Sequence, residues 1–221
     1  MRSLIKRDLF LNWQSHVFLI LLGLPFVYLV GIPPVYTLLG IVFPALAINV
    51  FYYDDKANID RFLHGLPLSP KQIIRSRYVY LIGIHVFAML YQWAAAGVIV
   101  QLVGGNTYFI YTWMDLIIIL SGIVIGTALV VPINHFFRSF TVSAMVTSII
   151  YIALVFTSIA LLAPLAMKDG WVMISELDNG LTQLVENRIP FMPYITLPVC
   201  AALLFLLSMK LTEWKFMQQD H

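Results

Sequence analysis

Residues 9–53 read LFLNWQSHVFLILLGLPFVYLVGIPPVYTLLGIVFPALAINVFYY, 45 positions without one Asp, Glu, Lys or Arg. A helix needs about 20 mostly apolar residues to cross a hydrocarbon core about 30 Å thick. As one helix this stretch would run about 68 Å at 1.5 Å per residue, twice that thickness. It must fold back, and Gly31-Ile32-Pro33-Pro34 supplies the turn. Two membrane spans result, near 16–32 and 35–53.

The same test applied along the chain finds further charge-free runs at 78–114, 116–137, 139–167 and 189–209. They hold spans near 78–103, 113–133, 142–166 and 191–209, the first of these ended by Gly104-Gly105-Asn106. The expected fold is therefore an all-α integral membrane protein, one transmembrane domain over 1–221 with six spans. Composition agrees: 61% hydrophobic, 11% charged and a mean hydropathy of +0.88. A soluble domain carries about 25% charged residues, so 13 Lys/Arg and 11 Asp/Glu cannot build a water-facing surface here. A soluble enzyme and a nucleic-acid binder are poor readings. The one cysteine, Cys200, excludes an internal disulfide and a Cys-rich metal site. A cleaved signal peptide is disfavoured, because Met1–His16 is amphipathic and no small-x-small site follows the first apolar run.

Lys and Arg set the orientation. With six spans both termini share a side. That side holds Arg2, Lys6, Arg7, Lys56, Arg61, Lys71, Arg75, Arg77, Arg138, Lys210 and Lys215; the other holds only Lys168 and Arg188. The asymmetry predicts cytoplasmic termini in a multi-pass protein of the plasma membrane, with the lipid bilayer as its first partner. Aromatics gather where the interfaces should lie: Tyr52-Tyr53, Tyr78 with Tyr80, Tyr108 with Tyr111 and Trp113, and Trp214.

Three pieces lie outside the spans. In Met1–His16, Leu4, Ile5, Leu9 and Trp13 recur at helical spacing among polar residues. This predicts an interfacial helix on the cytoplasmic leaflet, or else an ordinary basic flank. The loop Asp54–Arg77 opens with Asp54-Asp55-Lys56, continues through Asp60-Arg61-Phe62-Leu63-His64, and breaks at Gly65-Leu66-Pro67. A helix restarts at Ser69-Pro70-Lys71-Gln72, with Ser69 as cap, Pro70 at the first position and Gln72 where a capping box wants it. A rigid charged piece of this size is either a docking surface or a connector that sets topology. The loop Met167–Pro190 predicts an amphipathic outer helix with Leu177, Leu181, Leu184 and Val185 on one face, or a solvated cover.

The 54–77 loop carries a resemblance. An acidic pair ends span two, a charged turn with an aromatic follows, then Leu-Pro-Leu-Ser-Pro-Lys-Gln at 66–72, then Arg75-Ser76-Arg77-Tyr78 leading into span three. This resembles the short six-span permease subunits of ABC-2 type exporters in Gram-positive bacteria, with Arg77 where lysine is usual. In layout the resemblance covers the whole chain. In size it is similar to permeases that export amphipathic peptides, those of phenol-soluble modulin exporters among them. The resemblance implies a non-catalytic permease that moves an amphipathic peptide or other hydrophobic substrate outward. It implies a coupling helix at 54–66, with Asp54, Asp55, Lys56, Asp60, Arg61, Phe62 and Leu63 docking a cytoplasmic ABC ATPase. It also implies a second permease, as homodimer or paralogous heterodimer. ATP and Mg²⁺ would sit on the ATPase. This chain needs no cofactor of its own and has no Gly-x-x-x-x-Gly-Lys-Ser/Thr segment to cradle phosphates.

Polar residues inside spans are the remaining candidates: Asn49, His85, Gln92, Ser121, Thr127 and Asn134. His85 and Gln92 are seven apart and share a face of span three; with Asn49 they either line a translocation path or bond to neighbouring helices. Gly122-x-x-x-Gly126 in span four reads as internal close packing rather than dimerisation. Intramembrane catalysis is disfavoured. Ile119-Leu120-Ser121-Gly122 lacks the first glycine of a rhomboid-like site, no His-Glu pair exists, and the five histidines have no ligand spacing. A secondary carrier, or a membrane immunity or resistance protein working without an ATPase, is the rival. The carrier is weakened by the lack of internal repeats and of intramembrane acids.

Overall fold

The computed structural model describes residues 2–29, 32–57, 69–103, 112–137, 139–166, 177–189 and 191–219. Among these, contiguous helical segments make seven helices and no strand. Helix α1 joins Arg2–Val17, a π segment Phe18–Gly23 and Leu24–Leu29. Helix α2 joins a π segment Tyr36–Val42 to Phe43–Lys56. Then come α3 (Pro70–Val103), α4 (Trp113–Phe136), α5 (Phe140–Ala166), the short α6 (Leu177–Arg188) and α7 (Pro193–Gln219). All but α6 are long and apolar enough to cross a membrane, which gives the six expected spans.

The helices run on past the charge-free runs: their candidate spans cover Ser3–Phe26, Lys71–Ile99 and Pro193–Gln218 among the described residues. So α1 does not break at residue 16 between an amphipathic opening and a span; one helix runs through both. Likewise α3 absorbs Lys71, Arg75 and Arg77, and α7 absorbs Lys210, Glu213 and Lys215. The runs ended where charges began, but a helix can carry charges onward when they find partners. The Ser69 start holds in the structure, and α4 has a start that the sequence reading did not name. The Gln72 N–H donates to Ser69 Oγ at 3.3 Å, just ahead of α3. At α4 a full capping box forms: Asp115 N–H to Thr112 Oγ1 at 3.3 Å, and Thr112 N–H to Asp115 Oδ2 at 2.8 Å. At the first turn, Thr37 N–H donates to Pro33 O at 2.9 Å. Gly31, the Gly104-Gly105-Asn106 stop, Tyr108, Tyr111 and the Ser175-Glu176 start lie outside the described residues.

Prolines explain both the π segments and several helix contacts. A proline has no N–H for the carbonyl one turn back. Each π segment ends two residues before one: Phe18–Gly23 before Pro25, and Tyr36–Val42 before Pro44. Pro25 leaves the Leu21 carbonyl short of a donor, and Tyr91 of α3 supplies its hydroxyl at 3.1 Å. Pro132 does the same to Ala128 O, and Ser208 of α7 donates there at 2.6 Å. In hydrocarbon an unmet carbonyl costs several kcal/mol, so a neighbouring hydroxyl is the expected remedy. The prolines thus fix where α3 meets α1 and where α7 meets α4.

Span four is central. Half of its apolar window (50%) is buried, against 11% for span six on the periphery. Its glycines set the closest approach. A Cβ on Gly122 would lie 2.6 Å from Leu39 Cδ1 of α2, and one on Gly126 would lie 2.5 Å from Tyr151 Oη and 2.8 Å from the Phe43 ring. Gly122-x-x-x-Gly126 is therefore spent on contacts within the chain. At the other side of α5, α6 lays Leu181 and Leu184 against buried Leu162, with Val185 also buried, as the amphipathic pattern predicts.

If Ser208 compensates Pro132, Ser208→Ala should cost about 1–2 kcal/mol in thermal unfolding of the purified protein. In a Pro132→Ala background, where the new residue brings a backbone N–H of its own, the same change should cost clearly less. An equal cost in both backgrounds would contradict the pairing.

Candidate functional site

The charges that the helices carried inward meet at one end of the bundle. On α1, Leu4, Asp8, Asn12 and His16 recur every four residues and are all buried. Leu9, Phe10, Trp13 and Phe18 point outward instead, Phe10 and Phe18 more than 60% exposed. The amphipathic reading of Met1–His16 is corrected in its sense: Asp8 and Asn12 are not on a solvent face but against the other helices. An outward apolar surface is what a hydrocarbon surrounding favours, and the polar stripe must then be satisfied inside.

Its partners come from α1 itself, α2 and α3, while Asn12 Oδ1 and His16 Nε2 have none among the described residues. Asp8 is fully buried, with Oδ1 taking Arg7 Nε at 2.9 Å and Arg7 Nη2 at 2.5 Å. Its Oδ2 forms an ion pair with Arg77 Nη1 at 2.9 Å. Arg77, itself 4% exposed, pairs through Nη2 with Asp54 Oδ2. Two carboxylates and two guanidiniums alternate, so the group is neutral overall. A buried charge is tolerable only when paired in this way. Around it, Tyr80 donates to Asp8 O at 3.2 Å and stands 3.1 Å from His16 Nδ1, and Asn12 Nδ2 donates to Asp8 O at 2.9 Å. Ser15 Oγ reaches Tyr53 Oη at 3.4 Å. A second strap joins α3 to α7: Arg75 Nε to Glu213 Oε1 at 2.6 Å. Tyr78 Oη sits between Ser208 Oγ at 2.7 Å and Thr212 Oγ1 at 3.0 Å. Arg75 is half exposed, so water weakens that strap.

Asp54 ends α2 and Arg77 lies two turns into α3. Their pair therefore closes the base of the 54–77 loop, and Asp8 ties α1 to the same point. Asp54, read as a docking residue, spends its Oδ2 on Arg77. Asp55 and Lys56 are exposed, with Lys56 Nζ 5.8 Å from the Tyr52 ring centroid. Asp60, Arg61, Phe62 and Leu63 lie outside the described residues. Asp8 and Glu213 escaped the sequence reading. The signal for Asp8 was present, because Asp8, Asn12 and His16 form a polar stripe of period four in a helix that must face lipid.

The three path candidates differ from one another. His85 is fully buried between two backbone carbonyls, Nδ1 2.6 Å from Leu81 O and Nε2 3.2 Å from Phe43 O, and a neutral ring donates to one of them. Its ring also lies 4.3 Å from that of Phe43. Gln92 is buried, and neither its Oε1 nor its Nε2 has a partner among the described residues. Asn49 is partly buried, and its Nδ2 is likewise unpaired among them. Among the described residues no hydrogen bond or ring contact joins any two of the three.

Comparison with known proteins bears on the whole bundle. A family model described as "ABC-2 family transporter protein" matches residues 3–213. No curated protein and no solved structure matches the chain. The matched stretch runs from the first turn of α1 through Glu213, and so takes in five apolar spans, most of the sixth and both ends of the charged layer. This multi-pass membrane protein belongs to the ABC-2 transporter family.

Proposed function

We propose that the chain is the membrane-spanning permease subunit of an ATP-driven exporter in the plasma membrane, with both termini cytoplasmic. The family match across nearly the whole chain carries this reading. A separate cytoplasmic ABC ATPase would bind ATP with Mg²⁺, since this sequence has no phosphate-binding loop. A second permease, identical or paralogous, would complete the pathway. The substrate would be an amphipathic peptide or another hydrophobic molecule.

Coupling would run through 54–66. The exposed Asp55 and Lys56, with Asp60, Arg61, Phe62 and Leu63, would meet the ATPase, the aromatic as anchor and the charges fixing register. Asp54 has a different part. Paired with Arg77, it holds the base of the loop to α1 and α3, so that a push on the loop moves helices rather than a slack connector.

Co-expression with an ABC ATPase encoded beside it tests the docking role. Asp55→Ala combined with Arg61→Ala should lower co-purification and stimulated ATP hydrolysis by about tenfold or more, as loss of interface hot spots does. Unchanged binding and stimulation would refute the assignment.

Gln92→Leu tests the path. Gln92 is a buried amide without partners among the described residues, a state that costs about 1–3 kcal/mol, so its removal should raise the unfolding temperature by a few degrees. If Gln92 meets substrate, export should fall in the same variant. A higher unfolding temperature with undiminished export would remove Gln92 from the path.

A further inference from the structure

We infer that the cleft between α2, α4 and α5 binds a single aliphatic chain carrying a hydrogen-bonding group, that is, one tail of an amphiphile. The cleft holds about 280 Å³ and lies inside the span-forming parts of three helices. Gly40, Gly122 and Gly126 form part of its wall, where side chains would otherwise fill it. Leu129 and Leu154, 40% and 51% exposed, stand at its mouth on the outward surface of spans four and five. The mouth therefore faces the layer where acyl chains lie. Leu181 of α6 lines the same cleft.

Three physical points select the occupant. A helix is about 10–12 Å across with its side chains, too thick to enter. Water needs two to four polar partners, and this lining is almost wholly apolar. Hydrocarbon can enter and satisfies the wall. Of the two hydroxyls that α5 brings to the lining, one is left over. The Tyr151 side chain lines the cleft with its ring stacked on Phe43 at 5.6 Å, and its hydroxyl has no hydrogen bond among the described residues. Ser158, the other hydroxyl on α5 in the lining, is already engaged, donating to Val155 O at 2.8 Å. A pure hydrocarbon leaves the phenol unmet, whereas a chain with a carbonyl gives it an acceptor.

The inference does not depend on ATP-driven export, and its test uses this chain alone. The full-length protein is reconstituted in phospholipid vesicles with a fatty-acid amide bearing a mid-chain diazirine, then irradiated, and adducts are mapped by mass spectrometry. Labelling should concentrate at Leu129, Leu154 and Val155, several-fold above the outward-facing Ile152 and Phe156. Gly40→Leu, which pushes a side chain into the cleft, should cut labelling there several-fold and leave Ile152 and Phe156 unchanged. Tyr151→Phe leaves the cavity intact and covers the case in which Gly40→Leu fails to fold. It should lower labelling by the amide about three- to tenfold, the value of one hydrogen bond, and leave labelling by the matching alkyl diazirine unchanged. Equal labelling of lining and outward positions would overturn the site. So would an unlabelled lining together with an inter-chain disulfide in Leu154→Cys, because a second copy would then cover the cleft. Equal loss of both probes in Tyr151→Phe would overturn the hydrogen-bonding half of the inference.

Discussion

Arg77 between Asp8 and Asp54 is the interaction on which the rest of this bundle rests. A guanidinium that is 4% exposed can stay charged only if acids meet it, and here acids from two other helices do. That requirement turns the polar stripe of α1 inward and leaves Leu9, Phe10 and Trp13 for the lipid. It also sets the register between α2 and α3 at the point where the charged loop leaves the bundle. The loop is thus anchored at a neutral but highly charged knot, and the knot includes the first helix of the chain.

Away from the knot, the bundle meets a second demand of the bilayer: every carbonyl needs a donor. Pro25 and Pro132 each deprive one carbonyl, and Tyr91 and Ser208 restore the donors from neighbouring helices. Ser208 then passes its hydroxyl contact to Tyr78, which also meets Thr212. Helix faults become helix contacts. The glycines of span four work in the opposite sense, by removing atoms. Gly126 lets the Phe43 and Tyr151 rings approach α4, and the same absence of side chains leaves the cleft beside them.

The sequence made the six spans legible because span length is a coarse property, set by the thickness of the bilayer. The turn at Pro33, the cap at Ser69, the face of α6 and the packing role of Gly122 and Gly126 were legible for local reasons: each depends on residues a few positions apart. What escaped was long-range. Nothing local shows that α3 and α7 carry Arg77 and Glu213 as helix residues, because the groups that neutralise them come from distant segments. Nothing local reveals that Arg77, across the whole loop, faces Asp54. Asn49, His85 and Gln92 looked alike as lone polar residues in spans. Only packing separates a histidine set against two carbonyls from an amide with no partner among the described residues.

The central claim is that Asp8 and Arg77 bind each other across the bundle and so lock α1 to the loop base. A double-mutant cycle on the full chain measures this most directly, with Asp8→Asn, Arg77→Met and the combined variant compared by unfolding in detergent. A coupling energy above about 1.5 kcal/mol is expected for a close buried charge pair. Additive costs, within about 0.5 kcal/mol, would contradict the claim.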